Sequence, residues 1–162
     1  MTGIRIEPSS EICSQLITLL NTVLGPGRFA RTAYRIRELS SPDNCFALNA
    51  YQDTQLVGTV HVTAIKIGGK EGACLIGPLI VAEQARGQKL GEQLLDEAIE
   101  LASTKGQVLA LLVGDLVYYQ RAGFQLAPNT ILLPGPVQQQ RLLVRKIEDC
   151  VLTQFEGVVA AI

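Results

Sequence analysis

Between Leu79 and Leu95 the chain reads LIVAEQARGQKLGEQLL, placing Arg86, Gly87, Lys89 and Gly91 where a β-branched apolar run gives way to a helical pattern. A helix that starts there presents free backbone N–H groups and the positive end of its dipole, a combination that binds phosphate. Glycines at 87 and 91 let a ligand approach the backbone closely, and Arg86 and Lys89 add positive charge. A plain turn uses the same residue types, so these residues admit both a phosphate cradle and a simple junction. Two further groups carry chemistry. The one histidine, His61, lies in TVHVT, where Thr59, His61 and Thr63 share a strand face; this is either a polar stripe lining a groove or a structural feature. Arg28, Arg31 and Arg35 recur at i, i+3 and i+7, one face of a helix, and form either a solvated charged face or a site that recruits an anion.

The elements that must position these groups follow from periodicity. GIRIEP alternates as a strand, and SSEICSQLITLLNTVLG follows as a helix with Ser9 or Ser10 as its cap and Gly25-Pro26-Gly27 as its stop. RFARTAYRIREL is a second helical segment. NCFALNAYQ, LVGTVHVTAIKIG and ACLIGPLIVA form a meander turned at DTQ and GGKEG. GEQLLDEAIELASTKG is the clearest helix, with Leu94, Leu95, Ala98, Ile99, Leu101 and Ala102 on one face and Gly106 as its end. QVLALLVGD is apolar throughout, as in a strand buried on both faces. LVYYQRAG is a short helix with Asp115 as N-cap. FQLAP and RLLVRKIE complete the strands, separated by the loop NTILLPGPVQQQ. The result is an α+β fold with a mixed, mostly antiparallel sheet of six or seven strands and helices on both faces. One domain over residues 1–162 is expected, with a core over 4–147 and no assignment for the tail 148–162.

Composition narrows the function. Forty-eight per cent of the 162 residues are apolar, the formal charge is −1 and the pI is about 5.8. Nucleic acid is thereby disfavoured as the main partner. Cys13, Cys45, Cys74 and Cys150 form no CxxC pair, and with a single histidine they offer no zinc site. MTGIRIEPSS lacks an apolar signal-peptide core, and no apolar run approaches the roughly 20 residues of a membrane span. The cysteines therefore read as reduced core residues of a cytoplasmic protein that involves no membrane.

The order of elements and two motifs resemble the GNAT superfamily of N-acetyltransferases. Its signature, V-x-P-x-x-[QR]-x-x-G-x-[GA], matches Val81-Ala82-Glu83-Gln84-Ala85-Arg86-Gly87-Gln88-Lys89-Leu90-Gly91, and its later Y-x-x-x-G-F matches Tyr119-Gln120-Arg121-Ala122-Gly123-Phe124. IGPLIV, VGDLVYYQRAGF and LPGP look most like the YhbS-type branch, and the resemblance runs from about Ile4 to Ile147. Glu83 replaces the usual proline and Lys89 the first motif glycine. At Lys89 either the dihedrals stay in the ordinary helical region or the phosphate shifts, and the ammonium could itself meet a phosphate.

The resemblance implies acetyl-CoA as co-substrate, lying between two parallel strands that splay apart, here PLIV and LALLV. It implies main-chain contacts from Leu79, Ile80 and Val81, with the amide near Leu79 polarising the thioester, and a pyrophosphate on Arg86, Gly87, Gln88, Lys89, Leu90 and Gly91. Gly77-Pro78 fits either a weakened ladder or an edge bulge. Tyr119 stands where the family places the acid that protonates the departing thiolate; Tyr118 is its neighbour, pointing about 100° away on a helix, and both could instead be packing residues. No base stands out, with His61, Glu83 and water as the options. The region of Arg28, Arg31 and Arg35 overhangs the acceptor site in the family, so these residues could recruit an acidic acceptor or the CoA phosphates. The implied reaction moves an acetyl group to a primary amine of a small molecule or peptide, without metal, and the resemblance allows a homodimer. The alternatives are a non-catalytic acyl-CoA-binding or regulatory module, or a transferase of another acyl group.

Overall fold

The computed structural model describes residues 3–9 and 12–162. In chain order the elements are β1 (Ile4–Ser9), α1 (Ser14–Leu24), α2 (Thr32–Leu39), β2 (Cys45–Gln52), β3 (Gln55–Ile67), β4 (Lys70–Val81), α3 (Leu90–Thr104), β5 (Leu109–Val113), α4 (Leu116–Tyr119), β6 (Gln125–Leu126), β7 (Ile131–Leu132), β8 (Leu142–Lys146) and β9 (Gly157–Ala161). The sheet runs β1-β2-β3-β4-β5-β8-β6, with β9 pairing β3 and β7 pairing β9. The β4–β5 and β7–β9 pairs are parallel; the other pairs are antiparallel.

The α+β architecture expected from the sequence is present. Gly68 and Gly69 both take positive φ (56° and 83°) and close the β3–β4 hairpin in two residues, a turn whose twist matches the strands it joins. One face of the sheet packs α1 and α3 through Leu16, Leu20, Val60, Val62, Leu94 and Leu95. The other packs α2, β7 and β9 through Ile36, Ile65, Ile131, Phe155 and Val159. α3 buries the predicted stripe, Leu94, Leu95, Ala98, Ile99 and Ala102, together with Leu90. Each large member contributes about 1.5–3 kcal/mol by leaving water. Its first turn rests on β3 at Gly58, where a Cβ would lie 3.0 Å from Leu94 Cδ1 and 3.2 Å from Leu90 Cδ2. That contact fixes the helix start above the sheet.

Four expectations change. The tail, unassigned from sequence, supplies β9, whose Val159 and Ala161 pair with Ile67 and Ile65; short β7 emerges from the loop NTILLPGPVQQQ. The N-cap of α1 is Cys13, without a side-chain cap bond; Ser9 belongs to β1 and Ser10 lies outside the described residues. The segment RFARTAYRIREL is not one helix: a 3₁₀ turn covers Pro26–Ala30, Arg31 is extended (φ −74°, ψ 133°), and α2 begins only at Thr32. Of the four free cysteines only Cys74 is fully buried, the others being half-buried; burial pushes its thiol up to about 12.

Candidate active site

β4 and β5 are paired only at Ala73–Leu109, Cys74–Ala110 and Leu75–Leu111. Beyond that point β4 stays on β3 (Val60 with Leu79, Thr59 with Ile80, Gly58 with Val81). β5 stays on β8 (Leu112 with Leu143, Val113 with Leu142). The two strands therefore part company, and the β5-facing backbone of β4 is left without a ladder. Val60 and Val62 flank one residue while Leu79 and Ile76 flank two, so Gly77-Pro78, joined by a cis bond, bulges opposite His61. The two sequence readings of Gly77-Pro78 thus describe one feature: a bulge against β3 at the level where the ladder to β5 has stopped.

A 3₁₀ turn at Glu83–Ala85 leads from β4 towards α3. Gln93 N–H, bonded to Lys89 O at 3.0 Å, enters the ladder at the start of α3, and the N-cap Lys89 makes no side-chain cap bond. The preceding N–H groups are the orphans that helix starts present to anions. Gly87 has φ 80° with no atom within 4 Å of a would-be Cβ, so its backbone is both left-handed and open. Lys89 is not in the ordinary helical region: it takes φ 59°, ψ 17°, a conformation open to glycine at little cost and to lysine at about 1–2 kcal/mol.

A cleft of about 530 Å³ follows this line. Leu79, Ile80, Val81, Arg86, Gly87, Lys89, Leu90, Gly91 and Tyr119 all border it. Exposed Gln88 is the one expected residue that does not. Val23 and Leu24 at the end of α1, with Ala85, Glu92 and Tyr118, complete the wall; nothing local in the sequence of α1 signals its part in this, since its end reaches the cleft only through the packing of α1 on the sheet.

Asp115 caps α4 as expected, its carboxylate accepting Val117 N–H at 3.1 Å. Tyr118 and Tyr119 meet edge to face at 4.8 Å between ring centres, and Tyr119 leans on Phe124 at 6.0 Å. Both tyrosines border the cleft. They differ in depth. Tyr118 is 45% exposed, and its hydroxyl lies 3.0 Å from where a Cβ on Gly91 would be. Tyr119 packs against the core, and burial, with Tyr118 adding to it and Arg141 opposing it, pushes its phenol up to about 12. Such a phenol stays protonated at neutral pH. Gly114 makes room for it: a Cβ there would lie 2.4 Å from Tyr119 Cε2. The sequence reading did not single out Gly114.

The cleft continues past Tyr119 through a middle section bordered by Leu79, Gly114, Arg31 and Arg141. It opens into a second cleft of about 530 Å³ between the 3₁₀ turn, the start of α2 and residues 133–141. Arg28 and Arg31 border this second cleft; Arg35 does not. Arg141, outside the expected set, borders it as well, and its carbonyl accepts Gly114 N–H at 2.9 Å.

His61 borders none of these clefts. Thr59, His61 and Thr63 are buried, and neither ring nitrogen of His61 has a hydrogen-bond partner among the described residues. Thr59 Oγ1 donates to buried Asn49 Oδ1 at 2.7 Å. Desolvation, and secondarily the charge of Arg37, lowers His61 to about 3, so at neutral pH it is an uncharged interior ring and no groove-lining base. Glu83 borders a separate hollow beside α1.

The fold has close counterparts among solved structures. A YhbS protein of the GNAT family from Escherichia coli, solved in complex with CoA, matches with TM-score 0.79 and 25% identity over 98% of this chain and 88% of that one. A GNAT acetyltransferase from Brucella melitensis, in complex with acetyl-CoA, matches with TM-score 0.64 and 21% identity over 99% of this chain and 96% of that one. The architecture is thus the GNAT fold. In sequence, 107 residues are 29% identical to the uncharacterized N-acetyltransferase YhbS of E. coli K12, covering 65% of this chain and 64% of that relative. Residues 43–126, just over half the chain, match the acetyltransferase (GNAT) domain. The chain belongs to the GNAT acetyltransferase family.

Proposed function

We propose that the protein is an N-acetyltransferase moving an acetyl group from acetyl-CoA to a primary amine of a small molecule or peptide. One observation carries this: the β4–β5 ladder stops at Leu75 and Leu111, and a protonated tyrosine stands where the two clefts meet. The residues fit a CoA thioester. The amides around Gly87 to Gly91 would hold the pyrophosphate, and the β5-facing backbone groups of Leu79 to Val81, which have no ladder partner on that side, would hold the pantetheine arm, with an amide of this stretch as donor to the thioester oxygen.

The amine nitrogen bonds to the thioester carbonyl carbon and the C–S bond breaks, the sulfur leaving with the electron pair. Tyr119 gives its phenolic proton to that sulfur, and water carries the proton released by the amine back to the phenolate. Of the three expected acceptors His61 is buried and Glu83 lies elsewhere, which leaves water; Asp115, which borders the middle section, accepts the Val117 N–H as a helix cap. Tyr119→Phe removes one oxygen and little volume. Release of CoA thiol from acetyl-CoA, followed across an amine library, should show kcat lower by about 10- to 100-fold with little change in the KM for acetyl-CoA, the pattern of an interaction made mainly in the transition state. Equal rates, with chemistry shown to limit turnover, would remove Tyr119 from the mechanism, whereas CoA binding without thiol release for any amine would leave an acyl-CoA-binding module in place of the enzyme.

A further inference from the structure

The second cleft has a charge bias that the chain as a whole lacks. The protein carries 14 Lys and Arg against 15 Asp and Glu, yet Arg28, Arg31 and Arg141 border this cleft and no Asp or Glu does. None of the three has an ion-pair partner among the described residues. Arg28 is only 5% exposed. Its Nη1 donates to Gly25 O at 3.0 Å and its guanidinium lies 4.2 Å over the Phe29 ring, but its Nε is buried without a partner. A buried guanidinium with an unmade hydrogen bond is costly, and an anion beside it removes the cost. The wall is also fixed: Thr32 Oγ1 donates to Pro136 O at 3.1 Å, and Gly135 sits so close that a Cβ would lie 2.7 Å from Thr32 Oγ1. The remaining border, including Ile76, Val113, Leu133 and Val137, is largely apolar.

Three cations against the single carboxylate of Asp115 in the adjoining middle section leave a net positive border that disfavours a polyamine or a lysine-rich peptide. Arg31 and Arg141 also border the middle section with Tyr119; the one acid on that border, Asp115, accepts the Val117 N–H as the cap of α4, so one molecule can touch both arginines and the phenol. We infer that the acceptor is a small amine carrying its own carboxylate, of the free apolar amino-acid type, with the carboxylate held by Arg31 and Arg141 and with Arg28 behind them. The carboxylate orients the amine towards the junction, and the apolar border takes the side chain. This rests on the transfer reading of the same site.

Thiol release from acetyl-CoA is measured with leucine, leucinamide, isopentylamine and spermidine. The kcat/KM for leucine is expected at least about 10-fold above that of its amide, and Arg31→Gln or Arg141→Gln should lower the leucine value by about 10- to 100-fold, the size of a lost charge-assisted hydrogen bond. Leucinamide should lose far less. Both arginines are exposed, so the variants keep the fold. Thermal stabilisation with CoA present reads binding without turnover: leucine should raise Tm, leucinamide and spermidine should not, and Arg31→Gln should lose the rise. A leucine-specific rise without turnover of any amine upholds the carboxylate site and removes the transferase reading. Turnover of leucinamide or spermidine at least as efficient as that of leucine keeps the transferase reading and overturns the carboxylate site. Neither rise nor turnover with leucine, isoleucine or phenylalanine, while CoA binds, overturns it as well.

Discussion

The two ends of the cleft are built from different parts of the chain. Thirteen consecutive residues, Leu79 to Gly91, supply most of the border of the first cleft, proposed above for the cofactor, and the groups they offer are main-chain ones and an uncapped helix start. The second cleft, proposed above for the acceptor, gathers residues from the end of α1, the 3₁₀ turn, the start of α2, the bulge in β4, the end of β5 and residues 133–141. A site made of backbone tolerates side-chain change so long as the dihedrals survive, which is why Lys89 can stand in a glycine's place. A site made of side chains from distant segments has no such tolerance, and its specificity can change without disturbing the fold.

Four substitutions sharpen or break this contrast, beyond the loss expected for Tyr119→Phe. The largest effect should come from Gly91→Val. A branched side chain at the helix start would meet the Tyr118 hydroxyl, 3.0 Å from a Cβ, and the Val81 methyl at 3.8 Å. CoA affinity by calorimetry should fall by about 100-fold, the loss of one or two charge-assisted hydrogen bonds, with only a small fall in Tm. Collapse of Tm with unchanged affinity in the folded fraction would make Gly91 a packing glycine.

Gly114→Ala addresses the junction between the two ends. Its methyl would displace the Tyr119 ring, so kcat should fall by about 10-fold, the low end of positioned proton transfer, with CoA affinity nearly unchanged. A variant with full kcat would show that the phenol need not stay where it is.

His61 belongs to neither end. Its folded-state pKa, about 3, lies below the ordinary value of 6.5. The unfolded chain therefore binds a proton on this ring below pH 6.5 that the folded protein refuses until about pH 3. The stability it contributes is complete above 6.5 and is lost as pH falls through that window, at up to about 1.4 kcal/mol per pH unit. Urea unfolding at pH 7, 5.5 and 4.5 should show this slope in wild type and a flatter one in His61→Gln. The kcat at pH 7 should stay within about 3-fold; a fall of the size expected for a missing acid–base group, about 100-fold, would return His61 to the chemistry.

Lys89→Gly should have the smallest effect. Relief of the left-handed strain raises unfolding stability by about 1 kcal/mol, while loss of the ammonium weakens CoA binding by only about 3-fold, as for an exposed ion pair worth under 1 kcal/mol. A much larger loss of affinity would mean that the Lys89 ammonium, and not only its backbone, holds the phosphate.

The sequence by itself determined whatever a short stretch of chain decides. The strand-to-helix junction, the buried stripe of α3, the Asp115 cap and the meander up to β4 all follow from periodicity and turn chemistry within about 20 residues. The motifs around Gly87, Gly91 and Tyr119 carried the family. Only the tertiary structure decided what depends on segments meeting from far apart. The 3₁₀ turn and extended Arg31 broke the expected helix, turning Arg28 and Arg31 into the second cleft and leaving Arg35 outside it. Arg141 joined them because Gly114 N–H bonds its carbonyl across more than 25 residues. The TVHVT stripe reads the same whether it lines a groove or lies in the core, and it is buried on the face of β3 that packs α2, β7 and β9. The tail shows no pattern strong enough to stand alone as a strand; the open edge of β3 at Ile65 to Ile67 supplies the hydrogen-bond partners that make it β9.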